Sequence, residues 1–370
     1  MTLSPLYTEL IEDIQHNCNI SDARDHGIYS MCTMVLKLRN LYKWEKGLQP
    51  WEEPESADLL DWIDAKEKFW ATIANEPYRP LSAFGGTIAP LDLEEVNATL
   101  NGTLFYGAGY GRSMKAVFFL AEKREQRIVE GCPVTILGLE QAREMASPFA
   151  MVQEGQIIIR SQSLRYFFWD QVQEVRSSCR SSLRYALDDY GVLRDGVLDQ
   201  NLFRDTLDRI VEEEMNLFVY HEVGEMLQST LTSESLKTII GHFPGSVLEF
   251  VGRAVKDILA DIHPQGLLAY VIREERISSL AFYLAFMDGL RAKLFPEIQA
   301  AWQLFLVDRD WHHIEQARSS CWQKNQEIAE QIALAAERIG KDPDEKIVEH
   351  FNSEILVPLG LDTLLSKGQE

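Results

Sequence analysis

Cysteine is scarce and unpaired in this 370-residue sequence: Cys18, Cys32, Cys132, Cys179 and Cys321 stand far apart. No CxxC occurs, which excludes a zinc knuckle and a thioredoxin-type pair. Isolated thiols of this kind point to a reducing compartment. Basic charge is also thin, with 36 Lys and Arg against 57 Asp and Glu, a formal net charge of −21. Acidic runs such as Glu212-Glu213-Glu214 would repel a phosphate backbone, so no nucleic-acid partner is expected. No apolar run reaches membrane-spanning length. The opening MTLSPLYTELIEDIQ lacks the basic and apolar regions of a signal peptide. The sequence therefore predicts a cytoplasmic protein with no membrane partner. It has no GxSxG elbow, no cysteine in a nucleophile context, no internal repeat and no low-complexity tract.

What is present is enough apolar material, 46% of residues, for a folded protein of one or two domains. Periodicity predicts a helix over 4–18, a second from a Ser21-Asp22 cap to about Lys46, and a third after Pro54 carrying Trp62, Phe69 and Trp70. Residues 77–111 are rich in Pro, Gly and Asn, with a short helix near 91–100. AVFFLA and PVTILG read as strands, 142–145 as helix, and MVQEGQIIIR as a hairpin turning at Glu154-Gly155. Helices are predicted over 163–189, 199–230, 234–242, 246–262, 266–294, 297–338 and 344–357, divided by Gly and Pro signals. The fold class expected is mainly α: an α+β N-terminal domain with short β-hairpins (1–160), then a C-terminal helical bundle (161–370).

The chemistry concentrates in Leu207–Leu227. At 100° per residue, Glu214, His221 and Glu225 fall within about 40° of one another, on the stripe formed by Leu207, Ile210, Val211 and Phe218. Carboxylates and an imidazole on a core-facing stripe must be paired or must ligate a metal, because ionised groups are costly to bury alone. A second helix offers Asp308, His312 and Glu315, within about 60° on the wheel, and Glu275 shares a stripe with Leu268 and Val271. Asp257 and Asp261 are rivals at the edge of an apolar face.

A Glu followed seven positions later by His, with a later acidic-xxx-His pair, resembles the helical non-haem di-iron or dimanganese proteins of ferritin-like and haem-oxygenase-like type. The sequence departs from them in lacking ExxH and in placing Glu315 where a His is expected. The resemblance implies a metal-dependent oxidoreductase acting on a small-molecule substrate. Its metal ligands would be Glu214, His221, Glu225, Glu275, Asp308, His312 and Glu315, holding iron or manganese in preference to zinc. The alternative is a non-catalytic helical scaffold or partner-binding protein, whose buried Glu–His network is satisfied by neighbouring Arg residues.

Three further motifs weigh less. His221-Glu222 begins an HExx sequence, but Glu225 stands where a zincin needs its second His. Gly107, Gly109 and Gly111 with Arg112 and Lys115 could cradle an anion. The next segment, KAVFFLA, reads as a strand, so a glycine-rich bend is the simpler reading and no nucleotide cofactor is expected. Asp22 and His26 read as the acidic, capped start of the second helix.

Overall fold

Ser21 and Asp22 do not begin a helix. They lie inside one, α1 (Pro5–Asp25), and both are buried. The Ser21 hydroxyl donates to the Ala116 carbonyl, and Asp22 accepts from buried Lys115 at 2.6 Å and from the Met145 amide at 2.9 Å. The capping role expected of Ser21 falls to Ser30, whose side chain accepts from the Thr33 amide at the start of α2 (Met31–Glu45). A computed structural model of the chain describes residues 5–361, apart from 84–85, 112–114, 175–179 and 288. Two compact units emerge. One comprises Met1–Ile128, Pro133–Gln173 and Leu207–Val211; the other comprises Val129–Cys132, Glu174–Thr206 and Glu212–Glu370.

The first unit continues with α3 (Ser56–Ile73), the short ribbon β1 (Leu81–Ala83) and β2 (Gly86–Ile88), and α4 (Leu93–Thr99). Five strands come next: β3 (Leu104–Tyr110), β4 (Ala116–Val129), β5 (Cys132–Arg143), β6 (Ala150–Gln153) and β7 (Gln156–Arg160). They form one sheet in the order β3-β4-β5-β7-β6, in which β5 and β7 run parallel. Alternate residues point to opposite faces. Tyr106, Phe118 and Leu120 pack with Leu10, Ile14 and Cys18 of α1, while Phe105, Phe119, Ala121 and Ile158 build a second core on the other face. Burial on both faces is why AVFFLA is apolar throughout rather than alternating.

The hairpin expected at Glu154-Gly155 is there, with both residues at positive φ and Gln153 paired to Gln156. Two expectations need correction. Residues 142 and 143 end strand β5 and are not helical, and Leu104–Tyr110 is a strand paired with β4, not a bend. Gly107 is required there by packing: a Cβ would lie 2.0 Å from the Phe119 ring. Helix α5 (Ser161–Glu174) completes this stretch.

Then come α6 (Arg180–Asp189), the ribbon β8 (Leu193–Arg194) and β9 (Val197–Leu198), and the long α7 (Gln200–Leu227). Beyond it the chain is helical: α8 (Ser233–His242), α9 (Val247–Ile262), α10 (Leu267–Arg273), α11 (Ile277–Phe286), α12 (Gly289–Leu294), α13 (Glu297–Asp308), α14 (His312–Arg338) and α15 (Asp344–Phe351). A π-helical turn over Asn352–Leu356 succeeds α15. Helix α9 has 12 buried residues and contacts α8, α10, α12 and α14. The fold is mainly α with an α+β part. Among the described residues no helix is long and apolar enough to cross a membrane.

Two long predicted helices are broken. Over 266–294 the chain leaves the helix at Glu275, whose φ is +51°, while the Arg276 amide donates back to the Val271 carbonyl at 3.0 Å. Over 297–338 the break is at Arg309, which is left-handed at φ +61°. There Asp308 accepts from the Asp310 amide at 3.0 Å and Asp310 from the His312 amide at 2.9 Å. Aspartates that bond to the backbone two residues on compete with the helical ladder.

Candidate functional site

Helix α7 carries no glycine except Gly224, and that position is where it meets α9. A Cβ on Gly224 would stand 2.0 Å from the Ala260 carbonyl oxygen, so the two backbones touch. The close approach brings together residues next to the contact and one turn before it. His221 Nδ1 and Asp261 Oδ1 are 2.6 Å apart, and Lys256 Nζ donates to Glu225 Oε1 at 2.7 Å and to Ser233 Oγ at 2.8 Å. Asp261 is 1% exposed, and its other oxygen lies 3.8 Å from Arg291 Nη1. Of the residues the sequence singled out, the structure brings His221 and Glu225 to this seam, with the rivals Asp257 and Asp261.

The electrostatics are set by who faces whom. Burial works against protonation of His221, but Asp261, followed by Glu222 and Asp257, outweighs it and raises the imidazole from 6.5 to about 10. Burial raises Glu222 to about 7 and Asp257 to about 6, His221 partly opposing both. Glu225 goes the other way, because Lys256 overcomes burial and holds its carboxyl below the usual range. An imidazolium locked to a carboxylate cannot act as a base at neutral pH. Glu222 and Asp257, by contrast, exchange protons near neutrality.

Glu214 belongs to a different network. Fully buried, it accepts from Tyr190 Oη and Ser279 Oγ, both at 2.6 Å, and from Arg276 Nη2 at 3.4 Å. Burial raises its pKa, and these three donors pull it back. Both carboxylate oxygens are thereby engaged. Tyr190 comes from the end of α6, and Arg276 and Ser279 from the start of α11, so the periodicity of α7 carries no trace of them.

The remaining candidates lie elsewhere. Glu275 is exposed at the end of α10, and His312 is exposed at the first position of α14. Asp308 is exposed and pairs with His313 at 2.8 Å. Glu315 lies along α14 against Arg318 at 2.6 Å, and Arg318 also donates to the Ile262 carbonyl at 2.7 Å. The helical wheel that put Asp308, His312 and Glu315 on one face assumes a continuous helix, and the turn at Arg309 removes that premise. Among the described residues, no group of three or more His, Cys, Asp or Glu side chains could hold a metal ion.

The first unit has a buried ionic cluster that sequence reasoning missed. Arg160, fully buried, donates Nε and Nη2 to Glu140 at 3.1 Å and Nη1 to Glu144 at 3.0 Å. Ser163 also donates to Glu140, at 2.6 Å. Burial works against ionisation of Glu140, but Arg160 and Arg143 hold its carboxyl below the usual range. Glu140, Arg143 and Glu144 cluster at the end of β5, where the strand pattern leads into the core; that was the available signal. As for the glycine-rich anion motif, Lys115 is committed to Asp22, and Arg112 lies outside the described residues. His26 stacks on Trp70 at 5.7 Å.

Residues 9–160 match the N-terminal domain, and residues 165–354 the C-terminal domain, of a family described as a family of unknown function, DUF6866. No curated protein and no solved structure matches the chain.

Proposed function

The chain belongs to the DUF6866 family, and we propose that it is a non-catalytic binding scaffold whose C-terminal helices form a bundle pinned by buried acid–base pairs. One observation carries this reading. The groups that would have to be open for metal or catalysis are already engaged from within the chain: buried Glu214 by Tyr190, Ser279 and Arg276, and half-buried His221 and Glu225 by Asp261 and Lys256. Such pairs cost desolvation and return it only when geometry is good. They restrict which helix faces can meet, which suits a framework that holds other surfaces in place.

The test is metal analysis of protein purified without a His-tag, beside a His221→Ala variant. A metal-free native protein that loses thermal stability on the substitution supports the scaffold. Stoichiometric iron, manganese or zinc that disappears in the variant overturns it.

The rival proposal is a metal-dependent oxidoreductase of di-iron or dimanganese type. It draws on one feature of the same seam: Glu222, Asp257 and Asp261 all act electrostatically on His221, with Glu225 one helical turn away. On that proposal these groups rearrange around iron or manganese, and the same measurement decides.

A further inference from the structure

In the first unit a cleft of about 540 Å³ opens beside the end of β5. That volume falls within the roughly 300–1,000 Å³ of small-molecule pockets. Its walls include Trp44, Tyr166, Gln15, Glu140, Gln162 and Arg165. Behind this lining, packed on two of its aromatic residues, lies Arg143, which is 2% exposed. Its guanidinium carbon is 5.7 Å from the centre of the Trp44 ring and 5.5 Å from that of Tyr166. Its backbone is clamped by Gln15, which donates to the Arg143 carbonyl and accepts from its amide, both at 3.1 Å. Arg143 is thus held by residues that line the cleft.

The guanidinium is held but not satisfied. Nε and Nη1 are buried and have no hydrogen-bond partner among the described residues, and the nearest carboxylate oxygen, of Glu140, is 3.5 Å from Nη1. Glu140 already takes two bonds from Arg160 and one from Ser163. An unpaired buried donor carries its full desolvation cost, more so when charged. Arg143, Arg160 and Lys115 face Asp22, Glu140 and Glu144, and burial lowers the pKa of neighbouring Lys37 to about 8. At the cleft wall Arg165 is paired with Asp208 and Glu45 with Lys66, while Glu12 is exposed to water at the rim.

We infer that this cleft takes a small monoanion with a flat apolar body, an aromatic or conjugated carboxylate, whose oxygens are received by Arg143 between Trp44 and Tyr166. A guanidinium offers planar paired donors that match a carboxylate. The two rings supply faces for a flat body. This adds a ligand class to the binding reading above and rests on it. Metal analysis tests that reading and anion titration tests this one, so the two can fail separately.

The experiment is ligand-observed saturation-transfer NMR and calorimetry on the full chain with benzoate, neutral benzamide and inorganic phosphate. Benzoate is expected to bind about tenfold more tightly than benzamide, the difference a charge-assisted pair supplies, and more tightly than phosphate. Arg143→Met is expected to abolish that preference. Wild-type protein decides the matter even if this variant does not fold. Equal binding of benzoate and benzamide, phosphate binding as tight as benzoate, or no binding of any of the three overturns the inference.

Discussion

Replacing Gly224 by Ala sets two physical effects of opposite sign against each other. In an open helix the change is favourable, because Ala outranks Gly in helix propensity by about 1 kcal/mol. Here the new methyl carbon would meet the Ala260 oxygen at 2.0 Å, its carbonyl carbon at 2.7 Å and its Cα at 2.9 Å. All three are backbone atoms of α9, so no rotamer change relieves the clash and the helices must part. Overpacking of this kind costs about 1–3 kcal/mol. Separation also stretches the 2.6 Å His221–Asp261 pair and the 2.7 Å Glu225–Lys256 pair. Breaking a buried pair outright costs about 3–5 kcal/mol, and a partial loss adds a fraction of that. The net expectation is a destabilisation of about 2–4 kcal/mol, the overpacking and pairing costs less the propensity gain. Urea denaturation gives the sign, and hydrogen exchange over Leu217–Leu227 shows whether the loss is local to the seam. A Gly224→Ala protein as stable as the parent, or more so, would refute the close approach and everything derived from it.

Stability should also depend on pH through His221. With a folded value of about 10 against an ordinary 6.5, its contribution is fully present below 6.5, declines above it and is gone beyond about 10. Asp261→Asn is therefore expected to cost most at and just below pH 6.5, less at neutrality, and to converge with wild type above about 10, read as the difference in urea midpoints. A gap independent of pH would count against the pairing; Glu222, Asp257, Lys256 and Arg291 face the same seam in both proteins. In the first unit, Gly107→Ala drives a methyl to within 2.0–2.7 Å of three Phe119 ring carbons. Phe119 is fully buried, so an overpacking loss of about 1–3 kcal/mol is expected in thermal unfolding. An unchanged melting temperature would contradict that packing.

Much of the architecture was legible because it rests on short-range rules. The mainly helical composition, the hairpin at Glu154-Gly155 and the all-apolar AVFFLA strand come from periodicity and turn chemistry, which act over a few residues. The breaks at Glu275 and Arg309 were local too, and the Asp308-Arg309-Asp310 run carried the cue for the second. The apolar stripe of 297–338 hid it, since periodicity counts spacing and is blind to side chains that bond their own backbone.

The candidate site divides along the same line. That Glu214, His221 and Glu225 lie on an apolar stripe of one helix is a consequence of their spacing alone, and so is the demand that buried charge find a partner. Which partner each finds could only be decided in three dimensions. Asp261, Lys256 and the Tyr190–Ser279–Arg276 set come from segments 24 to 65 residues away, and the register that selects them is set by a contact between two backbones at Gly224. A single sequence determines which groups must be neutralised. The packing of helices determines by what, because pairing energy falls off within a few ångströms and chain separation says nothing about distance.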